Sequence, residues 1–230
     1  MFHPMSATTT NLASRIDHTL LRPDATQAQI AQLCAEASHF QFATVCVPPC
    51  YVRFAADKLL DTGVVVCTVV GFPLGYQLTK VKFFEAHQAL ADGAREIDMV
   101  MNVAAFKSGQ LEEVEEEIGQ LSELCHFKGA LLKVIIETAL LSEEEIIMAC
   151  ELCADAGADF VKTSTGFASR GASEADIKLM RRHLPGHIRI KAAGGIRTRT
   201  AALVLVAAGA DRIGSSNSVA LLEENETPAP

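Results

Sequence analysis

At 230 residues, about half of them hydrophobic, the chain is long enough to bury a substantial core in one domain. Its formal net charge of −8 argues against a nucleic-acid or membrane-surface partner, since either favours a basic patch. Any positive charge for an anionic substrate must therefore be local. Seven cysteines without a paired framework fit a reduced, cytoplasmic setting. Met1–Asn11 lacks the basic flank and apolar run of a secretory signal, and no segment reaches the roughly 18 unbroken apolar residues of a membrane span. The expected organisation is a flexible extension over 1–11, one domain over 12–224 and a flexible tail over 225–230.

A weak repeat punctuates the chain. Leu60–Val64, Ala91–Ala94, Ala154–Ala158 and Val206–Ala210 each read as a helix end closed by glycine, with a β-rich run directly after it. From Gly63 to Gly209 the spacing is about 29 residues per unit, the size of a βαβ repeat. In chain order the expected strands are Ile16–Leu20, Phe42–Val47, Val64–Gly71, Glu96–Asn102, Leu131–Glu137, Asp159–Ser164, Ile188–Ala192 and Asp211–Gly214. Their near-continuous Val/Ile character suits parallel strands covered by helices. Helical patterns fill the gaps, among them Gln77–Leu90 and Ser142–Ala154, the latter opened by a Ser142/Glu145 capping box. Eight strands alternating with helices at this length predict a closed (β/α)8 barrel.

Barrel strands feed alternate residues inward. That alternation puts Phe160, Lys162 and Ser164 on one face, Arg189 with Lys191, Asp98 with Asn102, and Lys133 with Ile135 and Glu137. Ionisable groups thus converge on the axis near the C-terminal ends of the strands, where active sites of this fold lie. A structural ion network, Lys133 with Glu137 and Asp98 with a lysine, is one reading. The other is chemical. Lysines on consecutive strands, about 4.8 Å apart, disfavour each other's protonated form, and desolvation acts the same way, so a lysine pKa is expected to fall from about 10.4 towards neutrality. A neutral amine attacks a carbonyl to form an imine, and Asp98 with a water supplies a proton shuttle.

The seventh and eighth strands end in Ala193-Gly194-Gly195-Ile196 and Gly214-Ser215-Ser216-Asn217. Loops in those two places bind phosphate in many barrels, with glycine admitting the backbone amides and serine donating hydrogen bonds. Thr165 and Gly166, just past Lys162, are candidates at the same rim. Cys150 and Cys153 form an isolated CxxC in an expected helix and read as small apolar residues. The Glu112–Glu117 run reads as a solvated helix face. His18 sits in the segment Asp17-His18-Thr19 and is placed to orient Asp17; the remaining histidines are not spaced as a metal site.

Together the segments Asp17-His18-Thr19-Leu20, Glu96–Asn102, Lys133–Thr138, Phe160–Gly166, Ile190–Arg197 and Arg212–Ser216 resemble the deoxyribose-phosphate aldolase family, in the family's order and over nearly the whole chain. The resemblance implies a class I aldolase that cleaves 2-deoxy-D-ribose 5-phosphate reversibly to acetaldehyde and D-glyceraldehyde 3-phosphate, without metal or organic cofactor. It implies Lys162 as the Schiff-base lysine, Lys191 as the lysine that tunes it and Asp98 as the proton relay. Asp17, Thr19 and Cys46 are implied near the substrate. The implied partners are small phosphosugars and aldehydes, the implied assembly is a homodimer with monomer and tetramer as the alternatives, and the implied setting is deoxyribonucleotide catabolism. Two positions depart from some family members: Phe167 stands where they carry a phosphate-holding lysine, leaving backbone amides, the serines or Arg170 to do more, and the chain ends without an aromatic residue. The rival readings are another phosphosugar barrel enzyme, transaldolase-like or epimerase-like, and a barrel that binds sugar phosphates without turning them over.

Overall fold

The computed structural model describes residues 12–223; the expected flexible extension (1–11) and the whole of the expected tail (225–230) lie outside the described residues. Eight parallel strands close into a barrel in sequence order: β1 (Ile16–Thr19), β2 (Thr44–Val47), β3 (Val65–Val70), β4 (Glu96–Val100), β5 (Leu131–Ile135), β6 (Phe160–Lys162), β7 (Arg189–Ala193) and β8 (Arg212–Ser215). β1 closes the ring by pairing with both β2 and β8. The helices that matter for the site are α1 (Gln27–Phe40), α2 (Val52–Lys58), α3 (Thr79–Ala91), α4 (Val103–Lys107), α5 (Leu111–Phe127), α6 (Glu143–Asp155), α7 (Glu174–His183), α8 (Arg199–Ala207) and α9 (Ser218–Glu223).

Local signals explain the boundaries. The Ser142 hydroxyl accepts from the Glu145 amide, and the Glu145 carboxylate accepts from the Ser142 amide. That reciprocal cap starts α6 where the sequence placed it. Thr26 and Gln29 build the same cap on α1. After α8 the chain turns through Gly209 at φ +118°, with Arg181 of α7 packed where a side chain would begin. Only glycine tolerates both conditions.

Outward strand residues such as Ile16, Val45, Ile97, Leu132, Val134, Val161 and Ile190 are buried against the helices in one continuous apolar core. Each such side chain stabilises by roughly 1.5–3 kcal/mol, and this layer offsets the cost of an unusual interior. Inside the barrel the apolar cluster is small: Cys46, Cys67 and Val69, with Leu21 and Phe72 packed on it. Most other inward positions carry charge.

Two expectations at strand ends change. β4 stops at Val100, and Asn102 instead caps α4, its side chain accepting from the Ala105 amide. β5 stops at Ile135, and Glu137 stands beyond it in a left-handed conformation, φ +53°. Neither side chain therefore belongs to an inward-facing strand row. The expected Lys133–Glu137 pair gives way to bonds from Thr165, whose amide and hydroxyl both donate to Glu137 Oε2.

Candidate active site

The ladder registers set Lys162 opposite Lys191, Asp98 opposite Lys133, and Asp17 opposite Gly214. Every one of these side chains points into the barrel. Lys162 and Lys191 both reach Asp98 Oδ2, each at 2.7 Å, and Lys133 reaches Oδ1 of the same carboxylate at 2.9 Å. Lys191 also pairs with Asp17 Oδ2 at 2.5 Å. Below them Arg212 bridges Asp17 and Glu96, and Lys133 contacts Glu96 as well. Lys133, Lys191, Asp17 and Asp98 are fully buried, while Lys162 keeps 3% of its surface at the mouth. Gly214 makes room for this: a Cβ there would lie 3.2 Å from Lys191 Cε.

The electrostatics follow from charge balance. Burial raises the Asp98 carboxyl, but Lys133, Lys162 and Lys191 outweigh it and hold the group well below the ordinary carboxylate range. Asp17 is likewise depressed by Lys191, Lys133 and Arg212 against burial. For Lys191, burial favours the neutral amine, yet Asp17 and Asp98 hold its pKa above the usual lysine value. Lys133 behaves the same way, raised by Asp98, Cys67, Glu96 and Asp17 against burial. Lys191 is therefore not the lysine whose pKa falls, because two carboxylates face it across the barrel. The cluster is an ion network that presents one amine, that of Lys162, at the open end.

Around this centre, Cys46 and Cys67 are register partners on β2 and β3. The Cys67 thiol lies 3.1 Å from Asp98 Oδ1. Burial pushes Cys67 up, whereas the hydrogen bond from Cys67 pulls Cys46 below its ordinary value. The two thiols and Asp98 come within 4.8 Å of one another, as metal ligands would, but both Asp98 oxygens already face ammonium groups. Thr19 is not brought into the network: its hydroxyl donates to the Asp17 carbonyl at 2.8 Å.

The glycine-rich rim forms as expected, with one redistribution. Gly166, Gly194 and Gly195 all take positive φ, +87°, +88° and +75°. Gly171 packs so closely on the 193–195 turn that an added Cβ would lie 2.0 Å from the Gly194 carbonyl oxygen. Ser215 is buried and its hydroxyl donates to the Ile196 carbonyl at 3.0 Å, tying the two loops together. Ser216 is exposed at the rim. Arg170 is engaged locally, by Asp176 and by the Thr138 carbonyl at 2.8 Å. Phe167 meets Phe72 edge-to-face at 5.3 Å, so aromatic rings from the loops after β6 and β3 meet over the barrel mouth. Glu96, Arg212 and Cys67 were not singled out from sequence, although the alternation that selects Asp98 also turns Glu96, two residues before it, inward.

The fold and site together define a parallel eight-stranded barrel with a buried lysine–aspartate–lysine cluster under a glycine- and serine-lined rim. Residues 12–218 match the family model described as DeoC/LacD family aldolase. The chain is 49% identical over 215 residues to the deoxyribose-phosphate aldolase of Caldanaerobacter subterraneus subsp. tengcongensis, covering 93% of each chain. It is 50% identical over 207 residues to that of Enterococcus faecalis, covering 90% of this chain and 94% of the other. Among solved structures, a putative deoxyribose-phosphate aldolase from Coccidioides immitis superposes with a TM-score of 0.90 at 44% identity, over 96% of this chain and 88% of that one. The aldolase from Aeropyrum pernix, described as a unique tetramer, gives 0.88 at 37% identity, over 94% and 91%. The chain belongs to the DeoC/LacD aldolase family and is an aldolase, a carbon–carbon lyase.

Proposed function

We propose that this aldolase cleaves 2-deoxy-D-ribose 5-phosphate to acetaldehyde and D-glyceraldehyde 3-phosphate, reversibly, with Lys162 as the nucleophile. The observation that carries the assignment is the single carboxylate oxygen of Asp98 shared by Lys162 and Lys191. Lys162 is the lysine of this cluster at the mouth; Lys191 and Lys133 are sealed below it. The neutral Lys162 amine attacks C1 of the open-chain sugar, and loss of water gives a protonated imine. Deprotonation of the C3 hydroxyl turns C3 into a carbonyl as the C2–C3 bond breaks, and the electrons of that bond pass to the protonated imine, leaving an enamine across C1 and C2. The C3 fragment departs as D-glyceraldehyde 3-phosphate. Protonation of C2 and hydrolysis of the imine release acetaldehyde and regenerate Lys162. Asp98, with a water, moves these protons, and Lys191, held as an ammonium, keeps positive charge beside the nitrogen where the enamine forms.

The phosphate lies against the amides of Gly166, Gly194, Gly195, Ser215 and Ser216, with Gly214 and Thr165 shaping the approach; Asp17 and Cys46 line the side of β1 and β2. Incubating the protein with the sugar phosphate and following both products by proton NMR tests the reaction. Acetaldehyde and the triose phosphate in equal amounts support it; bound but unchanged substrate favours a binding protein.

The reading extends to a homodimer in the cytoplasm, serving breakdown of deoxyribonucleotide sugars. Leu74, Tyr76, Leu78, Val81 and Phe84 form an apolar stretch on α3 and the loop before it, each about half exposed or more. Such a stretch on a water-soluble enzyme suits a subunit contact. Free thiols fit a reducing compartment: the CxxC pair is buried in α6 and unbonded, with burial pushing Cys150 up to about 12. No helix among the described residues is long and apolar enough to cross a membrane.

A further inference from the structure

The histidine of the Asp17-His18-Thr19 segment does not orient Asp17. Strand alternation turns His18 the other way, out of the barrel and under α1 and α9, where it is 3% exposed. Its Nε2 lies 2.8 Å from Glu36 Oε2 on α1, and its Nδ1 lies 3.0 Å from Ser218 Oγ on α9. The Phe42 ring packs 5.0 Å from the imidazole. Ser218 is fully buried, and its Oγ also stands 3.0 Å from the Ser215 carbonyl oxygen. From Ser215 the hydroxyl bond to Ile196 continues into the other glycine-rich loop. One line of contacts therefore runs from a carboxylate on α1 to both rim loops.

Counting protons along that line gives two states. Glu36, as a carboxylate, needs a proton from Nε2. In the imidazolium form Nδ1 also carries a proton and donates to Ser218 Oγ, leaving the serine hydroxyl proton for the Ser215 carbonyl. In the neutral form Nδ1 is bare and takes the Ser218 proton, so the Ser215 carbonyl loses that donor. The peptide plane transmits the difference. In a trans peptide the C=O of Ser215 and the N–H of Ser216 point in opposite directions, so fixing the carbonyl inward on Ser218 aims the Ser216 amide outward at the rim.

We propose that His18 is a positioning residue for the phosphate end of the site: its protonated form holds Ser218 on the Ser215 carbonyl and so presents the Ser216 amide to the substrate phosphate. The proposal rests on the reading of Gly214–Ser216 as phosphate-binding. Burial lowers the His18 pKa, and Glu36 together with the nearby Ser215 carbonyl only partly restores it, so the group lies below the ordinary histidine value. The proton is present at low pH and lost as pH rises through that value. Phosphate affinity attributable to the relay falls in the same direction.

The test is the KM for 2-deoxyribose 5-phosphate across pH in wild type and Ser218→Ala, with unphosphorylated 2-deoxyribose as the parallel substrate. The phosphate's own titration, near pH 6, cancels in the ratio of variant to wild type. That ratio is expected to be about three- to tenfold below the His18 titration, the size of one aligned hydrogen bond, and to approach one above it. For the unphosphorylated sugar it stays flat. A ratio that does not change with pH overturns the proposal, whereas a wild type that cleaves neither sugar overturns the aldolase reading instead. A second measurement needs no variant and no turnover. By linkage, inorganic phosphate that binds the imidazolium form better must raise the His18 pKa. An NMR titration of the His18 ring with and without phosphate is expected to move to higher pH, and an unmoved curve refutes the relay.

Discussion

Asp98→Asn keeps the shape of the side chain and removes a negative charge from contact with three ammonium groups. Removing one partner from a buried ion pair costs about 3–5 kcal/mol, because the remaining charge is left uncompensated. Asp17 still faces Lys191 and Glu96 still faces Lys133, so the lower end, about 3 kcal/mol, is expected. For a domain of this size that lowers Tm by about 6–12 °C. The effect has a pH signature. Asp98 has a folded-state pKa well below its ordinary value, so its contribution is fully present above the unfolded aspartate value near 3.9 and drains away as pH falls through the folded value. Urea melts of variant and wild type should differ by a constant amount from pH 7 down to about pH 5, and the difference should begin to shrink only below about pH 4. Loss of the relay should also lower kcat by about 10²–10⁴-fold. Equal stability within about 0.5 kcal/mol at pH 7 would refute the picture of Asp98 as the counter-charge of the cluster.

Three further outcomes follow from other parts of the molecule. Lys82 and Glu117 form a buried pair at 2.6 Å behind β4, with Lys82 also donating to the Val100 carbonyl; Lys82→Met should cost about 3–5 kcal/mol in urea melts, and adding Glu117→Leu should restore most of it. Gly171→Ala places a methyl against the Gly194 carbonyl, so KM for the phosphorylated sugar should rise at least about tenfold while 2-deoxyribose is less affected, as steady-state kinetics on both substrates will report. Phe84→Glu puts a charge into the exposed apolar stretch of α3; light scattering should show a shift from dimer to monomer with the fold retained by circular dichroism.

The barrel was legible because its signals are local and repeated. Glycine at the end of each of several helices and a short β-rich run after it recur at about one spacing, and every expected strand overlaps an observed one. The convergence of Asp98, Lys162 and Lys191 was legible from alternation alone, since all three fall on inward rows. Strand ends were not. Met101 and Ile136 are fully buried although they lie beyond β4 and β5, so hydrophobicity continues past the point where the ladder stops, and Asn102 and Glu137 were carried along with it. The charge balance at Lys191 was not legible either, for a different reason. Asp17 comes from the first strand and Lys191 from the seventh, and only ring closure through β8 brings them to 2.5 Å. Ser215 shows the same limit: its hydroxyl is taken by Ile196, nineteen residues away, which no local pattern announces.

The central claim is that Lys162 forms the imine. Borohydride reduction in the presence of 2-deoxyribose 5-phosphate, followed by peptide mass spectrometry, tests it directly, with Lys162→Ala as the control. The account predicts a reduced adduct on the peptide containing Lys162, and none in the control. An adduct on Lys191 instead, or no adduct from a protein that demonstrably cleaves the sugar, would contradict it.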